Sequence, residues 1–491
     1  MSSLRAITRF VTGARYFSLA FSLAVGIALA LGIAALVAYT NALIAAAVIV
    51  ALVAATIVIW NLENAFLATI GVAVLLPFAA LPVNLGFAPT LLDLALVSVF
   101  TLWILRALMR QNEEGLPFNL TPMGAFVLVF IALAVFSFVL GMSHAGITVY
   151  GLRHFVEILV AIAFFFLVAN VVRTRAQLER VIRVLLLVGF VSALLGVVFY
   201  LLPRPVTIQL LSLLRVFKYP SGAGVLRFIN DDPTGTMRAI STTVDPNVLG
   251  GLMVLIGGLL APQVFASRPL FPRRWVVAMT LTVIACLGLT FSRAAILGLV
   301  VALMLVAATR YRRLILILAV AGLVFYFAPF TQGYVEHFQN AFFAADRSTQ
   351  MRLGEYKDAF ILISRNPIFG VGFLGSPDVD TYVGVSSVYL LMAEEMGLVG
   401  LGIFIVTMGA YYLNAAFAWF TRLADDEILS PVLLGITAAL AGSMTAGIFD
   451  HYFFNLDFPH SVTLFWLYVG LGMATIRLGQ DLDRSVTMPD R

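Results

Sequence analysis

Fourteen apolar runs follow one another along 491 residues, at about 16–39, 41–60, 64–86, 88–109, 122–140, 153–172, 183–202, 247–265, 275–291, 294–309, 314–330, 387–413, 431–449 and 461–477. A helix rises about 1.5 Å per residue, so each run is close to the length that crosses about 30 Å of hydrocarbon. Inside lipid a single segment can satisfy its own backbone only as a helix. With 62% apolar and 11% charged residues the chain has too little polar surface to cover a water-soluble globule. The expected fold is therefore all-α: a polytopic integral membrane protein of about 14 transmembrane helices, with 12 as the lower bound. No soluble domain, low-complexity linker or internal repeat is visible. Cys286 is the single cysteine, so no intrachain disulfide forms. A net charge of +5, spread over many connections, speaks against nucleic acid as a partner. No secretory signal is expected, because the first apolar run is too long and has no cleavage site behind it.

Lys and Arg concentrate on the cytoplasmic side of such proteins. Starting from Arg5, Arg9 and Arg15, every second connection is short and basic, among them "RTRAQLERVIR", "ASRPLFPRRW" and "TRYRR". Those connections hold 19 of the 30 basic residues, which predicts both termini in the cytoplasm. The other 11 fall outside, mostly in two long outer loops at 203–246 and 331–386. Long loops translocate regardless of charge, which accounts for most of them. Arg238 and Arg293 are harder to explain in this way. Arg293 interrupts the apolar "GLTFSRAAILGL", and Arg238 stands just before a helix mouth. A guanidinium there is costly without a partner and is a functional candidate by default.

The stretch "TGTMRAISTTVDPNVLGGLM" delivers Arg238 to a membrane helix that begins near Asn247. Asp245 or Asn247 can cap that helix and Pro246 suits its first turn. The cap accounts for Asp-Pro-Asn and leaves Arg238 unexplained. A helix N-terminus with an arginine beside it attracts an anion such as phosphate, which Arg grips through two bonds.

Four segments in order, "MRAISTTVDPNVLGG", "LTFSRAAILGL", "MRLGEYKDAFILISRNPIFGVGF" and "SSVYLLMAEEMGLVGLGIF", resemble the O-antigen ligase and polymerase superfamily of bacterial polytopic glycosyltransferases. The resemblance covers residues 235–475, and its specificity lies in the ordered set. It implies a membrane-embedded, GT-C-like glycosyltransferase that acts, on the outer face, on a glycan linked to undecaprenyl diphosphate. By position, Arg238 and Arg293 match the arginines that face the donor diphosphate, and Arg352 matches a third basic position. Asn366, Pro367, Gly370 and Gly372 match the turn of the large outer loop, where their role is structural. Many ligases carry a histidine where this chain has Ser386 and Ser387. Serine is a poor base, so the resemblance tilts towards chain extension over transfer to a lipid core.

Fixed guanidiniums can stabilise a diphosphate leaving group without a metal, and no metal site or other cofactor is expected. "DDP" at 231–233 and "DVD" at 378–380 read as solvated turns, with metal ligation as the alternative. The acceptor hydroxyl still needs a proton acceptor, for which Glu395, Asp245, Asp450 and His451 are candidates. Glu395 serves equally well as a buried partner of an arginine. The loop "FDHYFFNLDFPH" at 449–460 has the composition of a sugar-contacting surface. Arg153 and Glu157, four apart on a helix, can neutralise each other, or Arg153 can extend the anion site.

The expected function is that of an O-antigen or exopolysaccharide polymerase in the bacterial cytoplasmic membrane, with its active site on the outer face. Its partners are an undecaprenyl-diphosphate-linked glycan donor, a glycan acceptor, the bilayer, and a chain-length regulator or flippase. Ligase-type transfer to a lipid or protein acceptor is one alternative. A secondary transporter is another, although the charges gather on one side of the C-terminal half and do not recur in two matched halves.

Overall fold

The computed structural model describes residues 61–81, 88–109, 121, 123–143, 146–342, 347–375 and 384–487, almost entirely as helices. Residues 66–491 form one compact unit; of a second, residues 1–65, only the last five are described. The helices are α1 Leu62–Leu75, α2 Leu91–Met109, α3 Gly124–Gly141, α4 Val149–Val171, α5 Arg175–Leu201, α6 Arg204–Leu213, α7 Pro246–Phe265, α8 Arg273–Thr290, α9 Arg293–Thr309, α10 Arg313–Phe327, α11 Gln332–Phe342, α12 Arg347–Arg365, α13 Val388–Ala418, α14 Leu429–Ala446 and α15 Pro459–Thr487.

Among the described residues nine helices are long and apolar enough to cross a membrane, and α1, α9 and α10 are shorter apolar helices. Twelve of the expected spans coincide with these helices. The spans at 16–39 and 41–60 lie outside the described residues. The run at 64–86 is cut short, because α1 stops at Leu75 ahead of Pro77. The two long segments expected outside are not simple loops: 203–246 contains α6 and a short hairpin, and 331–386 contains α11 and α12.

Helix α7 is apolar on all sides and buried over nearly its whole length, so it is the core of the bundle and not a face of it. Small residues let its neighbours close in. A Cβ at Gly258 would lie 2.6 Å from the Ala439 Cα of α14, and one at Gly298 of α9 would lie 2.5 Å from the Gly442 carbonyl. Lipid supplies no hydrophobic drive between helices, so such backbone approach is what packing has to work with. Phe130, Phe404, Phe454 and Trp466 join α3, α13 and α15 around a second buried centre, with Phe130 about 6.0 Å from both Phe454 and Trp466.

Tyr452, Phe453 and Phe454 are almost completely buried, and Phe453 stacks on Phe465 at 4.4 Å. The 449–460 loop is therefore a plug in the bundle, and its central aromatics are not the exposed sugar-contacting surface that its composition suggests. At the basic end, Arg477 donates to the carbonyls of Ala169 and Val172, each at 2.5 Å, and Arg175 pairs with Asp426 at 2.8 Å. Those bonds satisfy carbonyls at the C-terminus of α4 and complement its dipole.

Candidate active site

At the opposite end of the bundle, the N-termini of α7, α9 and α13 meet the C-termini of α8 and α14. The chain enters through a two-residue hairpin, β1 Arg227–Phe228 and β2 Met237–Arg238, in which Arg227 faces Arg238 across an antiparallel pair. The Ala239 amide donates to the Leu289 carbonyl at 2.8 Å, tying the hairpin to the end of α8. Arg238 is held from both sides: its Nε donates to the Thr290 carbonyl at 2.7 Å and its Nη2 to Asn247 Oδ1 at 2.6 Å. Asp245 then caps α7, its Oδ1 accepting from the amides of Asn247 at 2.7 Å and Val248 at 3.0 Å. Ser241 and Val244 have φ of 48° and 57°, a conformation costly for a β-branched residue, which Thr243 bridges by donating to the Ile240 carbonyl at 2.6 Å.

Arg293 is the first residue of α9, and no side chain caps that helix, so its first amides remain directed at the same space. The turn before it is set by Phe291, which takes φ 52° and stacks on Tyr334 of α11 at 4.4 Å. Arg352 arrives from α12. Arg238, Arg293 and Arg352 line one cavity, together with Asn230, Asn247 and Ser292. Arg293 Nη2 also approaches Thr349 Oγ1 at 3.4 Å.

The positive charge here is concentrated and partly desolvated. Burial pulls the Arg238 guanidinium down to about 10; Asp245 and Asp450 oppose the shift, and Arg352 and Arg293 add to it. Three guanidiniums beside an uncapped helix N-terminus suit a doubly anionic ligand.

Asp450 faces this group from the loop after α14. Its Oδ2 lies 4.0 Å from Arg352 Nη2 and makes no hydrogen bond, and its Oδ1 accepts from the His451 amide at 2.9 Å. Burial raises its carboxyl above the usual range, against the pull of His451 and Arg352. His451 stacks loosely on Phe458, with its Nδ1 unpartnered. Ser386, just ahead of α13, is bracketed by α12: its amide donates to Glu355 Oε2 at 3.0 Å and its carbonyl accepts from Tyr356 at 3.2 Å. Tyr356 is within electrostatic reach of Arg352, Glu355 and Asp450, and burial raises its hydroxyl.

Of the nine expected site residues, Arg238, Arg293 and Arg352 line the cavity and the other six do not; among these six, Arg153 and Glu395 are held by contacts of their own. Arg153 donates from Nε to Glu157 at 2.6 Å and from Nη2 to Asp93 at 3.0 Å, while Glu157 also meets His154 at 3.1 Å. The i,i+4 neutralisation is realised, with Asp93 as an additional partner. Glu395 is buried inside α13, and the structure uses its backbone. Gly397 breaks α13 with φ 69° and ψ −178°, and the loop after α12 fills the break. The amides of Val371 and Gly372 donate to the carbonyls of Glu394 and Glu395 at 2.8 and 3.0 Å, and the Leu398 amide donates to the Pro367 carbonyl at 2.8 Å. Ser137 of α3 also donates to the Glu395 carbonyl. Positive φ at Gly370 and Gly372 makes this approach feasible. "NPIFGVG" is thus the complement of "EEMG", and α12 is hung from that joint.

Asn247, Asn230, Glu355 and Tyr356 are site residues that sequence reasoning missed. Glu355 and Tyr356 follow Arg352 by one helical turn, and that spacing is the available sign. The "DDP" turn behaves as one: Asp232 Oδ1 accepts from Thr234 within its own loop at 2.9 and 2.7 Å. "DVD" lies outside the described residues.

No curated protein matches the chain. One family model does, across a segment that contains Arg293, Arg352, Ser386 and Glu395 and leaves Arg238, Asp245 and Asp450 outside it. Residues 277–405 match the family described as O-antigen ligase, and the matched segment lies within an all-α, multi-pass membrane fold.

Proposed function

We propose that the chain is a glycosyltransferase that moves a glycan from an undecaprenyl-diphosphate donor to a hydroxyl of an acceptor glycan, extending the polymer. The observation that carries this reading is the convergence of Arg238, Arg293 and Arg352, from three separate elements, on one cavity. In the transfer, the acceptor oxygen bonds to the anomeric carbon, the bond from that carbon to the diphosphate oxygen breaks, and the electron pair leaves with the lipid diphosphate. Guanidiniums already oriented by Thr290, Asn247 and Asp450 meet the developing charge without reorganising, the condition under which electrostatic stabilisation is strongest. The arginines supply the positive charge that a divalent metal supplies elsewhere, so the proposed reaction needs none. The basic end of the bundle faces the cytoplasm in this reading, both termini included, and the cavity opens on the outer face of the bacterial cytoplasmic membrane.

The test is glycan transfer by purified protein, with a lipid-diphosphate-linked repeat unit as donor, in excess EDTA, and with free glycan or lipid core as acceptor. Arg238→Ala and Arg293→Ala should each lose roughly ten- to more than a hundredfold in turnover, as expected for charge-assisted bonds of about 1.5–3 kcal/mol made in the transition state. Near-normal turnover by both variants would put the donor elsewhere. Transfer to lipid core alone would replace the polymerase by a ligase. Turnover lost in EDTA and restored by Mg²⁺ would make the reaction metal-dependent.

A further inference from the structure

The reaction proposed above also needs a group to take the proton of the acceptor hydroxyl, and we propose that this group is Glu355. The inference rests on the glycosyltransferase reading. Its own evidence is geometric.

Of the carboxylates near the arginine cavity, two are already committed. Asp245 spends its Oδ1 on two amides at the start of α7. Asp450 is buried, accepts from the His451 amide through Oδ1 and faces the Arg352 guanidinium through Oδ2. An acceptor sugar cannot reach it without displacing the arginine that it orients, so Asp450 is a positioning residue. Glu395 lies inside α13 behind the docked loop.

Three features recommend Glu355. It stands three residues after Arg352 on α12, so the two side chains leave the helix on neighbouring lines, one over the cavity and one beside it. It is half-buried, so that its carboxylate is both reachable and fixed. Only one oxygen is engaged: Oε2 accepts from the Ser386 amide at 3.0 Å, while Oε1 makes no hydrogen bond among the described residues. The Ser386 bond fixes the direction of the carboxylate, and Tyr356, donating to the Ser386 carbonyl at 3.2 Å, holds the other side of that residue. Arg352 and Glu355 thereby divide the work: the guanidinium receives the charge that leaves with the diphosphate, and the carboxylate receives the proton of the incoming hydroxyl. Atoms balance as the acceptor oxygen bonds to the anomeric carbon, its proton passes to Glu355 Oε1, and the bond to the diphosphate oxygen breaks with its electron pair.

The experiment compares wild type, Glu355→Gln, Glu355→Asp and Glu355→Ala as full-length protein in detergent or nanodiscs. It measures turnover against pH, binding of the lipid-diphosphate donor, and thermal unfolding. Loss of a positioned base costs roughly 10²- to 10⁴-fold, so Glu355→Gln should lose that much turnover while binding donor and melting as wild type does. The acid limb of the wild-type pH profile should disappear in the same variant. Glu355→Asp should keep a measurable part of the rate, and added formate should raise the rate of Glu355→Ala. Wild-type-like turnover by Glu355→Gln would overturn the proposal and leave the donor site standing, since Arg238→Ala is scored in the same assay. An unchanged pH profile, or a rate loss matched by lost donor binding, would equally overturn it and reduce Glu355 to a strut for Ser386.

Discussion

Arg352 on α12 and Asp450 on the loop after α14 face each other at 4.0 Å, nearly a hundred residues apart in sequence. The pair is one of the contacts that set α12 against the end of the core, beside the Gly397 joint and the Ser386 bonds.

Replacing Asp450 should separate stability from activity. Burial raises its carboxyl, so the folded protein holds that proton more tightly than the unfolded chain does. Its contribution to folding is full below the ordinary carboxylate range and is lost as pH rises through the raised value. Asp450→Asn removes this loss, so thermal unfolding in detergent should show the variant gaining on wild type as pH rises above the ordinary carboxylate range. Turnover should nevertheless fall by about tenfold, as Arg352 loses a charge-assisted contact. A stability difference that does not vary with pH would contradict the assignment.

Arg238 carries the opposite strain. Its guanidinium is lowered to about 10 by burial, so at neutral pH the folded state holds a charge that it would rather share with an anion. Inorganic pyrophosphate or a short-chain lipid diphosphate should therefore raise the melting temperature of wild type, by an amount equivalent to about 2.7 kcal/mol at a hundred times its dissociation constant. Arg238→Gln should melt no lower than wild type without ligand and should lose most of the ligand-induced shift. Equal shifts in the two proteins would exclude Arg238 from the anion site.

Gly397→Ala should be severely destabilising. The residue has φ 69°, and a Cβ there would collide with the Ile368 carbonyl of the docked loop. Backbone strain and overpacking together come to about 3 kcal/mol or more. Gly402→Ala, five residues on, where a Cβ meets nothing within 4 Å, is the control and should be neutral or slightly stabilising. The measurement is detergent-solubilised thermal unfolding of both.

Sidedness is checked with single cysteines in a Cys286→Ser background. Ser221 and Gly354 are exposed, as is Ala176 in the basic connection at the other end. Cysteines at 221 and 354 should react with an impermeant thiol reagent in intact cells, and one at 176 only after permeabilisation. The reverse pattern would invert the bilayer orientation.

What could be read from the sequence followed its range of interaction. Apolar runs locate helices because a membrane span satisfies its backbone within itself, and Arg153 found Glu157 because four residues are one helical turn. Asp93, sixty positions before Arg153, left no such mark. The aromatics at 452–454 were misplaced because composition reports what a loop is made of and not how deep it lies; Asp and His beside them gave it the look of a surface. Arg238, Arg293 and Arg352 were legible singly as charges out of place, but nothing local says that they share one cavity. The bond from Ser386 to Glu355 spans 31 positions and has no periodic signature at either end.

The joint at Gly397 also bears on how sequences of this kind can diverge. The loop from Asn366 to Gly372 and the helix from Glu394 to Val399 satisfy one another's backbone groups across a distance that neither segment bridges alone. A residue inserted in either would leave amides or carbonyls stranded in the low-dielectric interior, whereas side-chain changes that keep the glycines would pass. Related chains should therefore vary freely in length ahead of Arg347 while keeping these two segments gap-free, so that an alignment would show two short blocks of fixed register that are inherited together.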